Sequence, residues 1–305
     1  MADQRACAPI ALFVYNRPWH TRQTVESLLQ NDLSPQSDLF IFSDAAKSEA
    51  AKAEVAEVRR YIATVSGFRS VTIVERTENF GLAKSIISGV TKLCEEYGQA
   101  IVLEDDLVSS PHFLRYMNDA LDLYRDVPEV MHVSGSTYPV AANDAISSYF
   151  LHVPLCWGWA TWKRAWDHFE KDIKVMDRFD ADMVSRFNFD GTFTNYWEQL
   201  ELNRDGRINT WFVFWYATVF LTEGLSLFPR ESMLRNIGMD GTGVHCGTTD
   251  DFDVDVSQEP IALAPIALEV SDEAFERHKR YFHGLRPTLR SRVVRKIKRV
   301  LQRVA

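Results

Sequence analysis

The strongest constraint on the fold is an alternation of short apolar runs and helical patterns between residues 9 and 125. The apolar runs are rich in β-branched and aromatic residues, as expected for strands buried on both faces of a sheet. They cover residues 9–15, 38–44, 71–75 and 100–104. Between them lie three segments with apolar residues at helical spacing, 19–31, 48–65 and 80–97. This order predicts right-handed βαβ units and an α/β fold with a mostly parallel sheet.

Each predicted helix presents one apolar face to the sheet. The residues of these faces are Val25, Leu28 and Leu29 in the first helix, Val55, Val58 and Ile62 in the second, and Leu82, Ile86, Val90 and Leu93 in the third. After about residue 130 the alternation gives way to two further apolar runs, 130–136 and 149–155, which predict more strands. Seven of the eight tryptophans follow, between Trp157 and Trp215.

Composition limits the compartment and the partners. The formal net charge is -8, so the body of the protein is acidic and nucleic acid is not expected as its partner. The sequence has no apolar stretch long enough to span a membrane and no signal-peptide pattern. Its four cysteines are widely spaced, which favours free thiols in a reducing compartment. We therefore expect a cytoplasmic protein.

The C-terminal tail has a different character from the body. Residues 286–305 contain eight of the 34 Lys and Arg residues and no Asp or Glu. Their apolar residues fall on one helical stripe, formed by Leu289, Val293, Ile297, Val300, Leu301 and Val304. A basic amphipathic helix of this kind is typical of an anchor on an anionic membrane surface. A packed terminal helix and an oligomer contact are the alternatives.

Three adjacent carboxylates, Glu104, Asp105 and Asp106, follow the fourth predicted strand. Such neighbours repel each other and lose solvation at the end of a buried strand. Oxygen ligands without His or Cys suit Mg²⁺ or Mn²⁺, which proteins bind through one or two carboxylates together with phosphate oxygens and water. Ligands of parallel sheets bind beyond the carboxyl ends of the strands. The triplet therefore predicts a divalent metal and a nucleotide ligand.

Other polar residues at the same sheet edge support a nucleotide. Arg17 suits a phosphate, and Asp44 suits a base or ribose. The segment Asn79 to Lys84 begins a helix, whose N-terminus favours an anion, although it is also a simple capping pattern. The donor-binding candidates are Asn16, Arg17, Asp44, Asn79, Lys84, Glu104 and Asp105. The sequence contains neither a P-loop nor a Rossmann dinucleotide motif.

Four segments, "PIALFVYNRP", "DLFIFSDAA", "NFGLAKSI" and "VLEDDLVSSPHFLRYM", resemble the GT-A glycosyltransferases in this order. The resemblance is greatest to the N-acetylglucosaminyltransferase I-like group and its bacterial relatives, and "GWATWKRAW" and "GLSLFPRESMLRNIGMDGTGVH" are similar to downstream segments of those relatives. It implies a GT-A, nucleotide-diphospho-sugar transferase fold with helices on both faces of the sheet. The implied domain covers 1–270, with a donor half over 9–125, an acceptor half over 126–270 and a helical region with the basic tail over 271–305.

The resemblance also implies roles for individual residues. Asp106 would ligate the Mn²⁺ or Mg²⁺ that bridges the two phosphates, and Asp105 would contact the ribose or the sugar. Glu104 would contact hydroxyl groups of the donor sugar, Asp44 the uracil, and Arg17 the nucleotide or its diphosphate.

The catalytic base and the acceptor contacts are less defined. Inverting members of the group use an Asp directly after a Trp, but here Trp211 is followed by Phe212. The candidate bases are therefore Asp240 and Glu198, and His245 is a candidate late metal ligand or a structural residue. Trp157 and Trp159 are the predicted acceptor contacts, because aromatic rings stack on sugar C–H faces. The pairs Trp162 with Trp166 and Trp211 with Trp215 have the spacing of core residues.

The predicted function is transfer of a sugar from a nucleotide-sugar donor, UDP-linked and similar to UDP-GlcNAc, to a glycan or lipid-linked acceptor. The expected context is surface polysaccharide or lipopolysaccharide synthesis, with inversion at the anomeric carbon and retention as the alternative. A peripheral position on the inner face of the cytoplasmic membrane would follow from the tail. The alternatives are a sugar-phosphate nucleotidyltransferase and a catalytically inactive glycan-binding protein.

Overall fold

The computed structural model describes residues 6–140, 146–193, 195–242 and 249–285. Its strands are β1 (Ile10–Val14), β2 (Asp38–Ser43), β3 (Ser70–Glu75), β4 (Gln99–Glu104), β5 (Leu107–Ser109), β6 (Val130–Ser134), β7 (Ser148–Leu151), β8 (Trp159–Trp162), β9 (Leu225–Pro229) and β10 (Leu234–Asn236). Its helices are α1 (Pro18–Leu29), α2 (Lys52–Ile62), α3 (Gly81–Tyr97), α4 (Phe113–Leu123), α5 (Lys163–Trp166), α6 (Ala181–Phe187), α7 (Asn195–Arg204), α8 (Phe212–Leu221) and α9 (Asp272–Leu285). Short 3-10 helices cover Ser34–Gln36, Glu49–Ala51 and Ile173–Arg178.

Within these residues, eight strands form one sheet in the order β3-β2-β1-β4-β8-β6-β9-β7. The first four strands of this order are parallel neighbours, whereas β8 runs antiparallel between β4 and β6, and β7 runs antiparallel to β9. A separate two-stranded ladder pairs β5 with β10. The predicted α/β fold with a mostly parallel sheet is therefore confirmed.

Helices cover both faces of the sheet because the side chains of each strand alternate between the two faces. In β1, Ile10, Leu12 and Val14 pack into a cluster with residues of α1, α2 and α4. The intervening Ala11 and Phe13 pack into a second cluster with residues of α3, α5 and α8. The sheet edge that carries the polar loops lies between these two apolar layers.

Two local predictions were wrong. The strand β3 is only half-buried, because it is the edge strand of the sheet and one of its sides has no neighbour. Leu82, predicted to lie on the apolar face of α3, is 40% exposed, whereas Ile86, Val90 and Leu93 are fully buried. Leu82 is the second residue of the helix, whereas these three buried residues lie in its later turns.

A third, strongly aromatic cluster fills the second half of the chain around β7, α7, α8 and α9. The helix α9 contributes Ala274, His278 and Phe282 to it, so this helix packs on the body although the predicted boundary falls at 270. The predicted core positions of Trp162, Trp166, Trp211 and Trp215 are confirmed by their burial. The basic tail, 286–305, lies outside the described residues. None of the helices in the described ranges combines the length and hydrophobicity that crossing a membrane requires.

Candidate functional site

The three carboxylates meet Arg17 at the carboxyl edge of the sheet. The strands β1 and β4 are parallel neighbours with Phe13 paired to Glu104, so the chain leaves both strands at the same edge. Arg17, directly before α1, donates from Nη1 to Asp106 Oδ2 at 2.8 Å. The same nitrogen lies 3.8 Å from Asp105 Oδ1. Residues 88 and 89 positions apart in the sequence are thus brought together by strand pairing.

Burial strongly affects the ionisation of two of these carboxyl groups. Burial, together with the charges of Asp106 and Asp105, raises the pKa of Glu104 to about 8. Burial and the charge of Asp106 likewise raise the pKa of Asp105 to about 7, although the Tyr15 backbone N–H donates to its Oδ2 at 3.3 Å. Arg17 opposes both shifts and does not cancel them. Arg17 alone therefore does not offset the charge that the cluster would have if all three carboxyl groups were ionised.

Two hydrogen-bond donors of the Arg17 guanidinium are not used within the described residues. Its Nε and Nη2 atoms are buried and have no hydrogen-bond partner among the residues that the structure describes. An unpaired buried guanidinium donor is costly, and guanidinium groups bind phosphate oxygens in a forked geometry. The arrangement suits an anionic ligand that reaches Arg17 beside Asp106.

A short segment after β10 closes over Asp106 and Arg17. The β5–β10 ladder pairs Leu107 with Asn236, and the Ile237 backbone N–H donates to the Asp106 carbonyl at 2.9 Å. Gly238 then lies directly against the two side chains. A Cβ on Gly238 would collide with Asp106 Oδ2 and lie 2.9 Å from Arg17 Nη2. Only glycine allows this close approach.

The same segment brings Asp240, one of the two predicted bases, to the site. The buried His20, in the first turn of α1, has its Nε2 3.1 Å from Asp240 Oδ2. Thr242 donates to Asp240 Oδ1 from its backbone at 2.9 Å and from its hydroxyl at 2.6 Å. These bonds from Thr242 lower the pKa of Asp240 to about 2, and His20 and Arg17 contribute. Burial and Arg17 lower the pKa of His20, so a neutral ring that donates to the carboxylate is expected.

His20 and Gly238 were not predicted from the sequence. His20 follows Arg17 by three residues at a helix start, so it shares a helix face with Arg17, and this spacing was a usable signal. Gly238 gave no such signal, because the β5–β10 ladder that positions it has only three pairs.

Asp44 binds the start of α3. Its Oδ1 accepts from the Phe80 backbone at 2.8 Å and from the Ala45 backbone at 2.9 Å. Its Oδ2 accepts from the Gly81 backbone at 2.8 Å and from Asn79 Nδ2 at 3.0 Å. These four bonds fill the acceptor sites of a carboxylate. The anion at this helix N-terminus is therefore the side chain of Asp44 and not a phosphate. In this arrangement the Asp44 carboxylate and the N–H groups of Phe80 and Gly81 are already paired with each other, so they do not bind a nucleotide.

Asn16 and Lys84 lie outside the carboxylate cluster. Asn16 Nδ2 donates to Glu54 Oε2 at 2.7 Å. The exposed Lys84 lies with Nζ 3.7 Å from the centre of the Phe80 ring and pairs with Glu78. The described contacts of these two side chains do not support direct donor binding.

The remaining predicted residues are dispersed. Trp159 is 1% exposed and stacks on Trp211 with ring centroids 5.2 Å apart, so its ring has no free face and the prediction of an acceptor contact is wrong. Trp157 is half-buried and packs edge-on against Phe252. Glu198 is exposed on α7, and no contact in the described ranges joins it to the carboxylate cluster. His245 lies outside the described residues.

The side chains at this site suit a divalent metal only if a bound substrate supplies further oxygen ligands. The described residues contain no group of three His, Cys, Asp or Glu side chains arranged to hold a metal ion. Mg²⁺ and Mn²⁺ are nevertheless commonly bound by one or two carboxylates that share the ion with substrate phosphates. Asp106, beside the unpaired donors of Arg17, matches that arrangement.

Comparison with known proteins gives distant structural similarities. No protein-family model matches the chain, and no curated protein does. One similar solved structure is a mannosyltransferase from Pyrobaculum calidifontis in complex with GDP-Man and Mn²⁺, with 12% identity over 72% of this chain and 70% of that chain and a TM-score of 0.38. Another is S. aureus TarS, with 12% identity over 41% of this chain and 21% of that chain and a TM-score of 0.28.

Proposed function

We propose that the protein is a metal-dependent glycosyltransferase that takes its sugar from a nucleotide-sugar donor. The observation that carries this proposal is that two guanidinium nitrogens of Arg17, Nε and Nη2, have no partner in the described residues while its Nη1 contacts Asp106 and lies near Asp105 at the carboxyl edge of the sheet. A divalent cation and a diphosphate supply the positive charge and the phosphate oxygens that this cluster lacks. When bound at Asp106, the metal would stabilise negative charge on the leaving nucleoside diphosphate.

The chain's own residues bind and orient the donor in this proposal. Arg17 donates from Nε and Nη2 to phosphate oxygens, which satisfies its buried donors. Glu104 and Asp105 accept hydrogen bonds from hydroxyl groups of the donor sugar and the ribose. Gly238 allows the segment after β10 to lie close to the diphosphate.

Asp240 is the proposed base, and the reaction inverts the anomeric carbon. The acceptor hydroxyl oxygen attacks that carbon, the bond to the phosphate oxygen breaks, and its electron pair leaves with the nucleoside diphosphate. The hydroxyl proton goes to a carboxylate oxygen of Asp240, which His20 and Thr242 orient. Because the pKa of Asp240 is about 2, it takes the proton only as the new bond forms and the hydroxyl becomes acidic.

Three finer parts of the proposal concern substrates and location. The donor is UDP-linked, the acceptor is a glycan or lipid-linked glycan of surface polysaccharide synthesis, and the tail holds the protein on anionic membrane. Deleting 286–305 should then release the protein from vesicles of anionic lipid, and unchanged binding would exclude the anchor.

The test is release of nucleoside diphosphate from a panel of UDP-, GDP- and CDP-sugars with and without Mn²⁺. We expect metal-dependent release from at least one UDP-sugar and a loss of about 10²-fold or more in Asp106→Asn. Asp182→Asn, an exposed carboxylate on α6, is the matched control and should match the wild type. No release from any donor would defeat the proposal. Pyrophosphate release from a nucleoside triphosphate and a sugar phosphate would favour a nucleotidyltransferase instead.

A further inference from the structure

A groove of about 550 Å³ lies between α1 and α2. None of its residues has a part in the chemistry proposed above. Its lining includes Trp19, Arg22, Glu57, Arg60, Tyr61 and Thr64. The groove thus combines aromatic rings with guanidinium groups on an accessible surface.

Trp19 is unusually exposed for its size. Its side chain is 58% exposed, and only Leu82, Tyr97 and Leu268 are comparable large exposed apolar residues within the described part of the chain. The other tryptophans in that part are buried or half-buried. An exposed indole ring offers a flat apolar face with a polar edge, and the C–H faces of sugar rings can stack on it.

The charge of the groove differs from that of the molecule. The guanidinium of Arg22 lies 4.4 Å from the centre of the Tyr61 ring, which holds it at the groove wall, and it also forms an exposed ion pair with Glu26 at 3.7 Å. Exposed pairs of this kind are weak, so an anionic ligand can compete for Arg22. In the ranges that the structure describes, Arg60 forms no ion pair with an acidic side chain. Glu57 is the one acidic residue of the lining. Arg60 is therefore the cation of the groove that has no acidic partner in the described ranges, and it is available to an anionic ligand.

The groove adjoins the proposed base. The Trp19 ring meets the His20 ring edge-on, with centroids 4.9 Å apart, and His20 in turn contacts Asp240. Trp19, at the groove wall, is therefore connected to Asp240 through one intervening side chain.

We infer that this groove binds the acceptor, and that the acceptor is an acidic oligosaccharide whose sugar faces stack on Trp19 and whose anionic groups pair with Arg22 and Arg60. The inference rests on the proposed function, since it assigns the acceptor to the same reaction. It also replaces the buried Trp159 by Trp19 as the stacking residue. The acidic groups are carboxylates or phosphates, which share this recognition chemistry.

The test measures binding of three oligosaccharides by isothermal titration calorimetry. The probes are a galacturonate hexamer, a phosphorylated mannopentaose and the neutral maltohexaose. We expect the wild type to bind at least one acidic probe about tenfold or more tightly than maltohexaose, and Trp19→Ala to lose about tenfold in affinity. Arg60→Ala should weaken acidic probes alone, whereas Arg207→Ala, an exposed arginine outside the groove, should match the wild type. The acidic probe that binds identifies the anionic group.

Two results would overturn the inference. The first is equal binding of acidic and neutral probes by the wild type, which includes the case that neither binds. The second is wild-type affinity for the acidic probes in both Trp19→Ala and Arg60→Ala. Hydrolysis of nucleotide-sugar in the same preparations separates the two proposals, because Trp19→Ala should retain it. If the wild type binds acidic probes as expected and hydrolyses no donor, the proposed function fails and the groove remains a glycan site.

Discussion

Glu104 illustrates how a single residue can favour function at the cost of stability. Its pKa of about 8 means that burial and the neighbouring carboxylates keep it largely protonated at neutral pH. A divalent cation at Asp106 would reverse this balance by attracting the charged form. Perturbed carboxyl groups of this kind are common at functional sites.

We predict that Glu104→Gln stabilises the protein at alkaline pH. The folded state binds more protons than the unfolded state between the ordinary glutamate pKa and about 8, so stability falls as the pH rises through this window. A glutamine at this position does not lose stability in this way, so the variant should be more stable than the wild type by up to about 4 kcal/mol at pH 8.5 and nearly equal to it at pH 5. Urea unfolding without metal measures this difference. The exposed Glu269→Gln is the control, and a pH-independent difference for Glu104→Gln would contradict the prediction.

Gly238→Ala should remove activity and leave the fold intact. The new methyl group would collide with Asp106 Oδ2, so the pair of Asp106 and Arg17 would have to separate. We expect a loss of about 10²-fold in nucleoside diphosphate release, because a small displacement of binding groups is costly for catalysis. Gly284→Ala, where a Cβ meets no atom within 4 Å, is the control and should keep wild-type activity. Circular dichroism should show native helix content in both variants, and near-normal release by Gly238→Ala would count against this geometry.

At the scale of elements, the N-terminus of α3 depends on a carboxylate from the end of β2. Asp44→Ala removes four hydrogen bonds and the anion at the helix dipole, so we expect a loss of about 2–3 kcal/mol in unfolding free energy. Asp44→Asn should retain part of the stability. Urea unfolding measures both variants. A base contact, the role expected from the sequence, would instead change the preference among nucleotide-sugars at unchanged stability.

The elements also show how far the sequence could be interpreted. The strands β1, β2 and β4 and the helices α1 to α3 have long, regular patterns, and they were predicted nearly to their ends. The antiparallel insertion of β8 between β4 and β6 could not be predicted, because strand order depends on pairing between distant residues. The same limit applies to the site. The carboxylates and Arg17 directly follow strands that the sequence pattern predicts. Gly238 is positioned by the β5–β10 ladder, whose three residue pairs are too few to produce a recognisable periodic pattern.

At the scale of the whole molecule, the two predicted halves share one sheet. The strand β8 comes from the second half and pairs with β4 from the first, with Val102 opposite Trp159. The carboxylates therefore lie beside the junction of the halves, and the segment after β10 returns from the second half to cover them. A site assembled from both halves suits a reaction that joins two substrates.

The buried histidines make the stability of the whole molecule sensitive to acid. Burial lowers the pKa of His278 to about 4 and that of His132 to about 3, in two different core clusters. Below the ordinary histidine pKa of about 6.5, the unfolded state binds protons that the folded state excludes, so stability is lost as the pH falls. His278 has a buried Nε2 without a hydrogen-bond partner in the described residues, and aromatic rings surround it.

His278→Phe should therefore weaken the acid sensitivity. The substitution also changes the unfolding free energy at pH 7, so the comparison is made between pH values. Between pH 7 and pH 4.5, the variant should lose about 2 kcal/mol less unfolding free energy than the wild type. Urea unfolding at pH 7, 5.5 and 4.5 gives the two curves. His283→Phe, an exposed position on the same helix, should run parallel to the wild type. If His278→Phe also runs parallel, then His278 is protonated in the folded state, and the packing of α9 onto the aromatic cluster is looser than its burial implies.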